Sequence, residues 1–191
     1  MLNITARQEL MRTIVETLGV VVEEARLDFG EDGLSVRVVD PSHVAMIRMD
    51  VDSAAFDTWD VDDTKLGLEM RKLKEILTQG QGTDAVYMSH DDATGQVSVK
   101  IGRIDLTMRP LDNTTLNPPN VPELDLPCGV TISGAELAQA IRASKLVSDL
   151  VNMSLTESQF SVNVKAPNSE VNADFSKDEL LAIDCSEPAR S

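Results

Sequence analysis

The sequence predicts an α+β fold in which one helix-and-sheet unit is used twice, the second time incompletely. Three observations predict it. Laying residue 25 on residue 151 puts Leu27, Phe29, Leu34, Val36 and Val38 over Met153, Leu155, Phe160, Val162 and Val164, with Ser35 on Ser161 and Pro41 on Pro167. The aligned stretches alternate apolar and polar residues on either side of a polar turn, the mark of a hairpin with one buried face. Upstream of each, apolar residues recur at three- and four-residue spacings, and between the two copies lies a segment with four prolines.

Taken in order, residues 5–18 read as an amphipathic helix because Leu10, Met11, Ile14, Val15 and Leu18 share a face. The hairpin of residues 25–38 follows, then a strand at 45–51 and a second helix at 69–79 with Met70, Leu73, Ile76 and Leu77 on one side. Strands at 85–89 and 96–101 flank the polar turn 90–95, and a further strand at 104–108 follows Gly102-Arg103. Pro118, Pro119, Pro122 and Pro127 exclude helix and central strand, so 117–127 is expected to be an extended connector between domains at 1–116 and 128–191. The second unit opens with a helix at 133–147, where Met11 maps onto Leu137 and Val15 onto Ile141, and Ser133 with Glu136 has the spacing of a capping box. Its hairpin runs from 151 to 164.

The 191 residues carry 17 Lys plus Arg against 32 Asp plus Glu, a net charge of -15, with 42% hydrophobic and 3% aromatic residues. That is enough apolar material for a packed core and too few aromatics for a base-stacking platform, and the overall charge disfavours a simple polyanion binder. No apolar run approaches the roughly 20 residues of a membrane-spanning helix. Two cysteines, Cys128 and Cys185, suit a reducing cytosol, where both are expected as free thiols.

Catalysis requires a nucleophile beside a base or groups with displaced pKa values, and the chain offers neither a phosphate loop nor a serine elbow. Asp60-Val61-Asp62-Asp63 departs from the calcium-loop pattern, with Lys65 where glycine belongs, and reads as a solvated loop. His43, His90, Cys128 and Cys185 lack the short spacings of a zinc site, and His90 is expected at a hairpin tip without a role. No catalytic residue, metal or cofactor is therefore expected. Charge placement says more. The three helical stretches hold seven basic residues (Arg7, Arg12, Arg71, Lys72, Lys74, Arg142, Lys145) and five acidic ones (Glu9, Glu16, Glu69, Glu75, Glu136), a net of +2, so the rest of the chain carries -17. Ordinary solvated helix faces give such a pattern, and so does a surface kept positive for phosphate.

Asp40-Pro41-Ser42-His43-Val44-Ala45-Met46, preceded by Gly33-Leu34-Ser35-Val36-Arg37-Val38-Val39, resembles the signature of the DNA sliding clamps, the proliferating cell nuclear antigen (PCNA) family, especially its archaeal members. Met70 through Leu77 is similar to the second helix of the clamp's first domain, Val121-Pro122-Glu123-Leu124 to its interdomain connector, and Leu146-Val147-Ser148-Asp149 to the end of the next domain's first helix. The resemblance runs through essentially the whole chain in family order. It implies the DNA clamp fold, with two domains per chain and three chains closing head to tail into a homotrimeric ring around duplex DNA. It also implies a non-enzymatic processivity factor in replication and repair, cytoplasmic and chromosome-associated, or nuclear in a eukaryote.

By this resemblance, Arg12, Arg71, Lys72, Lys74, Arg142 and Lys145 fall on the DNA-facing helices, while Gly19, Glu75 and Thr78 stand where clamps often place lysine. Val39, His43, Val44, Val121, Pro122, Leu124 and Leu126 match the positions that receive a short peptide motif from DNA polymerase, clamp loader, ligase and nucleases. Read without the family, Val39, Val44 and Leu126 are core residues and His43 a packed histidine. The ring contact is implied near 103–110 and 171–175, with proline at Leu106 or Ala173 expected to break it. Two other functions stand beside this one: a subunit of a heteromeric clamp-like ring, and a carboxylate-rich metal enzyme. The repeat further leads us to expect an incomplete chain, since Ser191 maps onto Lys65 and nothing matches residues 66–116; a complete form would continue for roughly 50 residues. The apolar faces of Ile132, Ile141, Phe160, Val162 and Val164 are then expected to be partly uncovered.

Overall fold

The structure, a computed structural model, describes residues 1–121, 123 and 125–190. The chain divides into two compact units, Met1–Val121 and Pro122–Ser191. In the first, strand β1 (Leu2–Arg7) leads into helix α1 (Gln8–Leu18), followed by β2 (Glu24–Gly30), β3 (Gly33–Val39) and β4 (Met46–Asp52). After a 3-10 turn at Ser53–Ala55 come β5 (Thr58–Val61), β6 (Thr64–Glu69), α2 (Met70–Leu77), β7 (Ala85–Asp91), β8 (Gln96–Ile101) and β9 (Ile104–Met108). They form two antiparallel sheets, ordered β5-β1-β7-β8-β9 and β4-β3-β2-β6. The helices pack on each other, α1 against β1 and β7, α2 against β6 and β8.

Period-two burial explains the strands. Leu2, Ile4 and Ala6 in β1, Leu27 and Phe29 in β2, Leu34, Val36 and Val38 in β3, and Val97, Val99 and Ile101 in β8 all point into one core, with polar neighbours outside. The same rule corrects the first helix. Its expected start at Thr5 fails because Thr5 and Arg7 belong to β1, where alternation outcompetes the helical spacing that begins at Leu10. The Asp60–Asp63 stretch is likewise only partly a loop: Thr58–Val61 is an edge strand paired with β1, and Asp62 lies 3.3 Å from the Met1 amine. Gly67 in β6 allows a close approach. A Cβ there would stand 2.7 Å from Leu116 Cδ1 and 3.0 Å from the Leu111 carbonyl oxygen, and the Leu111 N–H donates to the Gly67 carbonyl at 2.8 Å.

The second unit repeats, in the same order, the elements of the first from β1 to β6. It runs β10 (Cys128–Thr131), α3 (Gly134–Ser144), β11 (Asn152–Leu155), β12 (Gln159–Ala166), β13 (Ser169–Ser176), β14 (Ala182–Cys185) and β15 (Ala189–Arg190). Its sheets, β10-β14 and β13-β12-β11-β15, match β1-β5 and β4-β3-β2-β6, and the mapping that puts residue 25 on 151 carries Gln8 onto Gly134 and Leu18 onto Ser144. Among the described residues, no element of this unit corresponds to α2, β7, β8 or β9.

Two expectations fail in this unit. The Ser133 side chain makes no capping bond, although its carbonyl accepts the first helical bond from Leu137 at 3.0 Å, so the capping box is a sequence coincidence. The uncovered face is also smaller than expected. Phe160, Val162 and Val164 are buried, with Phe175 stacked on Phe160 at a 6.0 Å centroid separation and Leu180 joining the same cluster. Ile132 and Ile141 are half-buried.

Candidate nucleic-acid and partner surfaces

Helix α1 buries Gln8, Met11, Ile14, Val15 and Leu18, and α2 buries Met70, Leu73, Ile76 and Leu77. The residues between these positions are therefore forced outward: Arg12 on α1 and Arg71, Lys72 and Lys74 on α2 are all exposed. Buried Gln8 ties the helices together, its Nε2 donating to the Leu77 carbonyl at 2.7 Å. On α3, Ala140 and Ser144 face inward and Arg142 outward in the last turn, where its charge also suits the negative end of the helix. Lys145, the residue that closes α3, is exposed too.

These cations are not equally available. Arg12 Nε bonds Glu16 Oε1 at 3.0 Å, and Lys74 Nζ reaches the same oxygen from the neighbouring helix at 3.4 Å. The Arg12 hydrogen bond, with that of Lys74 behind it, holds the Glu16 carboxyl below the usual carboxylate range, so one carboxylate serves two basic residues. Lys72 is paired with Glu69. Among the described residues, Arg71, Arg142 and Lys145 have no carboxylate within ion-pair distance. The spacing of Arg12 and Glu16, four residues apart on a helix, was legible in the sequence; the bond from Lys74 needs the packing of two helices.

The Asp40–Ala45 loop is built by one side chain whose role the amino-acid order alone does not reveal. Asp40 accepts backbone N–H bonds from Ser42 (2.9 Å), Val44 (2.7 Å) and Ala45 (2.6 Å). These donors, Ala45 foremost, hold its carboxyl below the ordinary range. The turn is closed by His43 N–H on the Asp40 carbonyl and by Asp40 N–H on the Ala45 carbonyl, both at 2.9 Å. His43 takes φ 57°, a left-handed conformation uncommon outside glycine, and Val44 is left 87% exposed at the loop's apex.

Of the other positions expected at the partner surface, Val39 ends β3 opposite Met46 and is half-buried. Val121 is 42% exposed and lines a recess with Ser35, Arg37, Arg48 and Asn120, a polar setting rather than an apolar one. Leu126, in the second unit, is 67% exposed. Pro122 and Leu124 lie outside the described residues.

The family profile for the N-terminal domain of proliferating cell nuclear antigen matches residues 1–105. The chain belongs to the PCNA family. The DNA polymerase sliding clamp of Methanosarcina barkeri is 30% identical over 180 residues, which cover 94% of this chain and 74% of that protein. That of Methanoregula boonei is 32% identical over 186 residues, covering 96% and 75%. The chain thus spans about three quarters of the length of these PCNA relatives. Among solved structures, one of the C-terminal region of FEN-1 bound to A. fulgidus PCNA superposes with a TM-score of 0.93 at 27% identity, over 100% of this chain and 78% of that one. PCNA from Thermococcus kodakaraensis gives 0.84 at 19% identity, over 100% and 80%, a likeness of fold. The mixed sheets with three helices, divided between two units, are the PCNA fold, as the family resemblance implied.

Proposed function

We propose that this chain is a DNA polymerase sliding clamp subunit: three copies close head to tail around duplex DNA and tether replication and repair enzymes to it. The observation that carries the reading is that α1 and its copy α3 each turn an arginine outward, Arg12 and Arg142, with Arg71, Lys72 and Lys74 exposed on α2 beside α1, in a chain whose net charge is -15. Three copies would supply six such helices to one lining. Phosphate attraction of this kind is independent of sequence and lets the duplex slide, while the acidic remainder of the surface repels DNA from other faces. A closed ring holds DNA by topology, so the lining needs only a weak positive charge, and tethering raises a polymerase's local concentration without any new catalytic group. Domains at 1–116 and 128–191, joined by a connector at 117–127, are part of the same reading. So is the assignment of Arg12, Arg71, Lys72, Lys74, Arg142 and Lys145 to DNA.

Partner enzymes dock, in this reading, through short peptides at Val39, His43, Val44, Val121, Pro122, Leu124 and Leu126. Support comes from the exposure of Val44 on a loop fixed by three Asp40 bonds, an apolar contact presented at little cost in ordering. A peptide copying the FEN-1 C-terminal region provides the test. Val44→Asp, or Leu124→Asp on the connector, should weaken its binding about 10- to 100-fold by forcing a carboxylate into an apolar contact. Asp40→Ala should weaken binding as well, by freeing the loop, with the circular dichroism spectrum unchanged. The pH sign follows from the depressed Asp40 pKa: the loop's stabilisation is complete above the ordinary carboxylate range and is lost as acid protonates Asp40. Unaltered peptide affinity in folded Val44→Asp and Leu124→Asp chains would overturn the partner site.

A further inference from the structure

The two cysteines, far apart in sequence, are register partners across β10 and β14. The Ser186 N–H donates to the Pro127 carbonyl at 2.9 Å, a bond between the residues just outside the cysteine pair. That sets the ladder's phase: Cys128 and Cys185 form a non-hydrogen-bonded pair, the kind in which Cα atoms approach to about 4.5 Å and side chains come closest. The separation lies within the range of about 4.4–6.8 Å that a disulfide bridges. The sulfurs converge as well, Cys128 Sγ at 3.1 Å and Cys185 Sγ at 3.2 Å from the one carbonyl oxygen of Glu187. Both thiols are free and partly exposed.

We propose that Cys128 and Cys185 form a dithiol modification site, which a low-molecular-weight disulfide oxidises to a single intrachain disulfide tying β14 to β10. The Cys128 thiolate attacks one sulfur of the small disulfide RS–SR, forming Cys128–S–S–R and expelling one thiolate RS⁻. Cys185 then attacks the Cys128 sulfur, closing the protein disulfide and expelling the second RS⁻. The protons of the two cysteines end on two RSH molecules, so the protein loses two hydrogens and the small disulfide gains them. The order of attack fits the surroundings: burial, and then the hydrogen bond with Cys128, raises the Cys185 thiol pKa, which keeps Cys185 protonated until the mixed disulfide forms beside it.

The bond has a structural consequence. Among the described residues β10 pairs only with β14, and a two-stranded ladder is marginal without further support. A covalent tie between strands so distant in sequence restricts the opened state and holds the ladder closed.

The test is incubation of the folded chain with glutathione disulfide, followed by intact mass, tryptic mapping and hydrogen exchange. The expected product has lost two hydrogens, links the peptides of Cys128 and Cys185, and exchanges the amides that the ladder's phase turns toward the partner strand, those of Gly129, Asp184 and Ser186, at least about tenfold more slowly. Dithiothreitol should restore the starting rates. Cys128→Ser and Cys185→Ser should each stop at one stable glutathione adduct, because closing the protein disulfide needs both thiols. Two adducts on the parent chain, disulfide-linked dimers, or no reaction of the folded protein would each overturn the proposal.

Discussion

Thr107→Pro on β9, or Asp174→Pro on β13, is expected to convert assembled rings to monomers while leaving each unit folded. Both strands are the outer strands of their sheets, one per unit, so a head-to-tail pairing of β9 with β13 of the next copy uses two unlike edges and can close. The ladder phase decides which residues matter. In the β8–β9 hairpin, Ile101 and Ile104 flank the two-residue turn Gly102-Arg103, with Gly102 at φ 57°. The flanking pair of such a turn exchanges hydrogen bonds, and so does every second pair beyond it, which includes Leu106 with Val99. The Leu106 N–H is therefore spent inside the sheet. On β13 the Lys177 N–H bonds the Ser158 carbonyl at 2.9 Å, and the same parity turns Ala173 inward toward Val162. Proline at Leu106 or Ala173, the sites expected from sequence, would damage the unit itself; Thr107 and Asp174, next to them, direct their N–H groups to the open edge. Analytical ultracentrifugation should show complete loss of the trimer for either variant, with circular dichroism unchanged. A trimer as stable as the parent's would place the ring contact on other strands.

The second large effect concerns the lining. Joint replacement of Arg12, Arg142 and Lys145 by Ala should weaken DNA association and flatten its salt dependence, by about 0.9 in the slope of log affinity against log salt for each phosphate no longer neutralised. The structure ranks the three. Arg142 and Lys145 carry no ion pair among the described residues, whereas Arg12 shares Glu16 with Lys74, so Arg12→Ala alone should have the smallest effect. Glu16→Gln, by releasing two cations at once, should tighten association. Filter binding across a salt series checks both signs. Equal slopes for parent and triple variant would mean that these side chains do not meet phosphate.

Much of this was legible in the chain, for identifiable reasons. The hairpin β2–β3 and its copy β11–β12 could be read because one buried face imposes period two, and the α1 and α3 faces because helix burial imposes its own spacing. Strand β1 was equally readable in the alternation of Leu2, Ile4 and Ala6, but the helical residues that follow at once drew the boundary too early. Strand β6 was hidden by Gly67, which breaks the apolar run and whose need appears only when Leu111 and Leu116 pack against it. Strand β5 is hidden by its acidic neighbours, which give Asp60–Asp63 the look of a loop. Its copy is β14, and without β14 nothing sets Cys185 opposite Cys128. The Asp40–Met46 block could be singled out from the residues alone, but the three N–H bonds to Asp40 and the left-handed His43 are properties of a folded turn.

Topological retention on DNA tests the clamp reading most directly. Chain threaded onto a linear duplex, whose two ends are then blocked by bulky protein caps, should stay bound through a wash at high salt, because a closed ring does not depend on phosphate attraction to remain in place. Cutting the duplex between the caps should release it at once. Release by salt alone, equal for capped and cut duplexes, would contradict the ring.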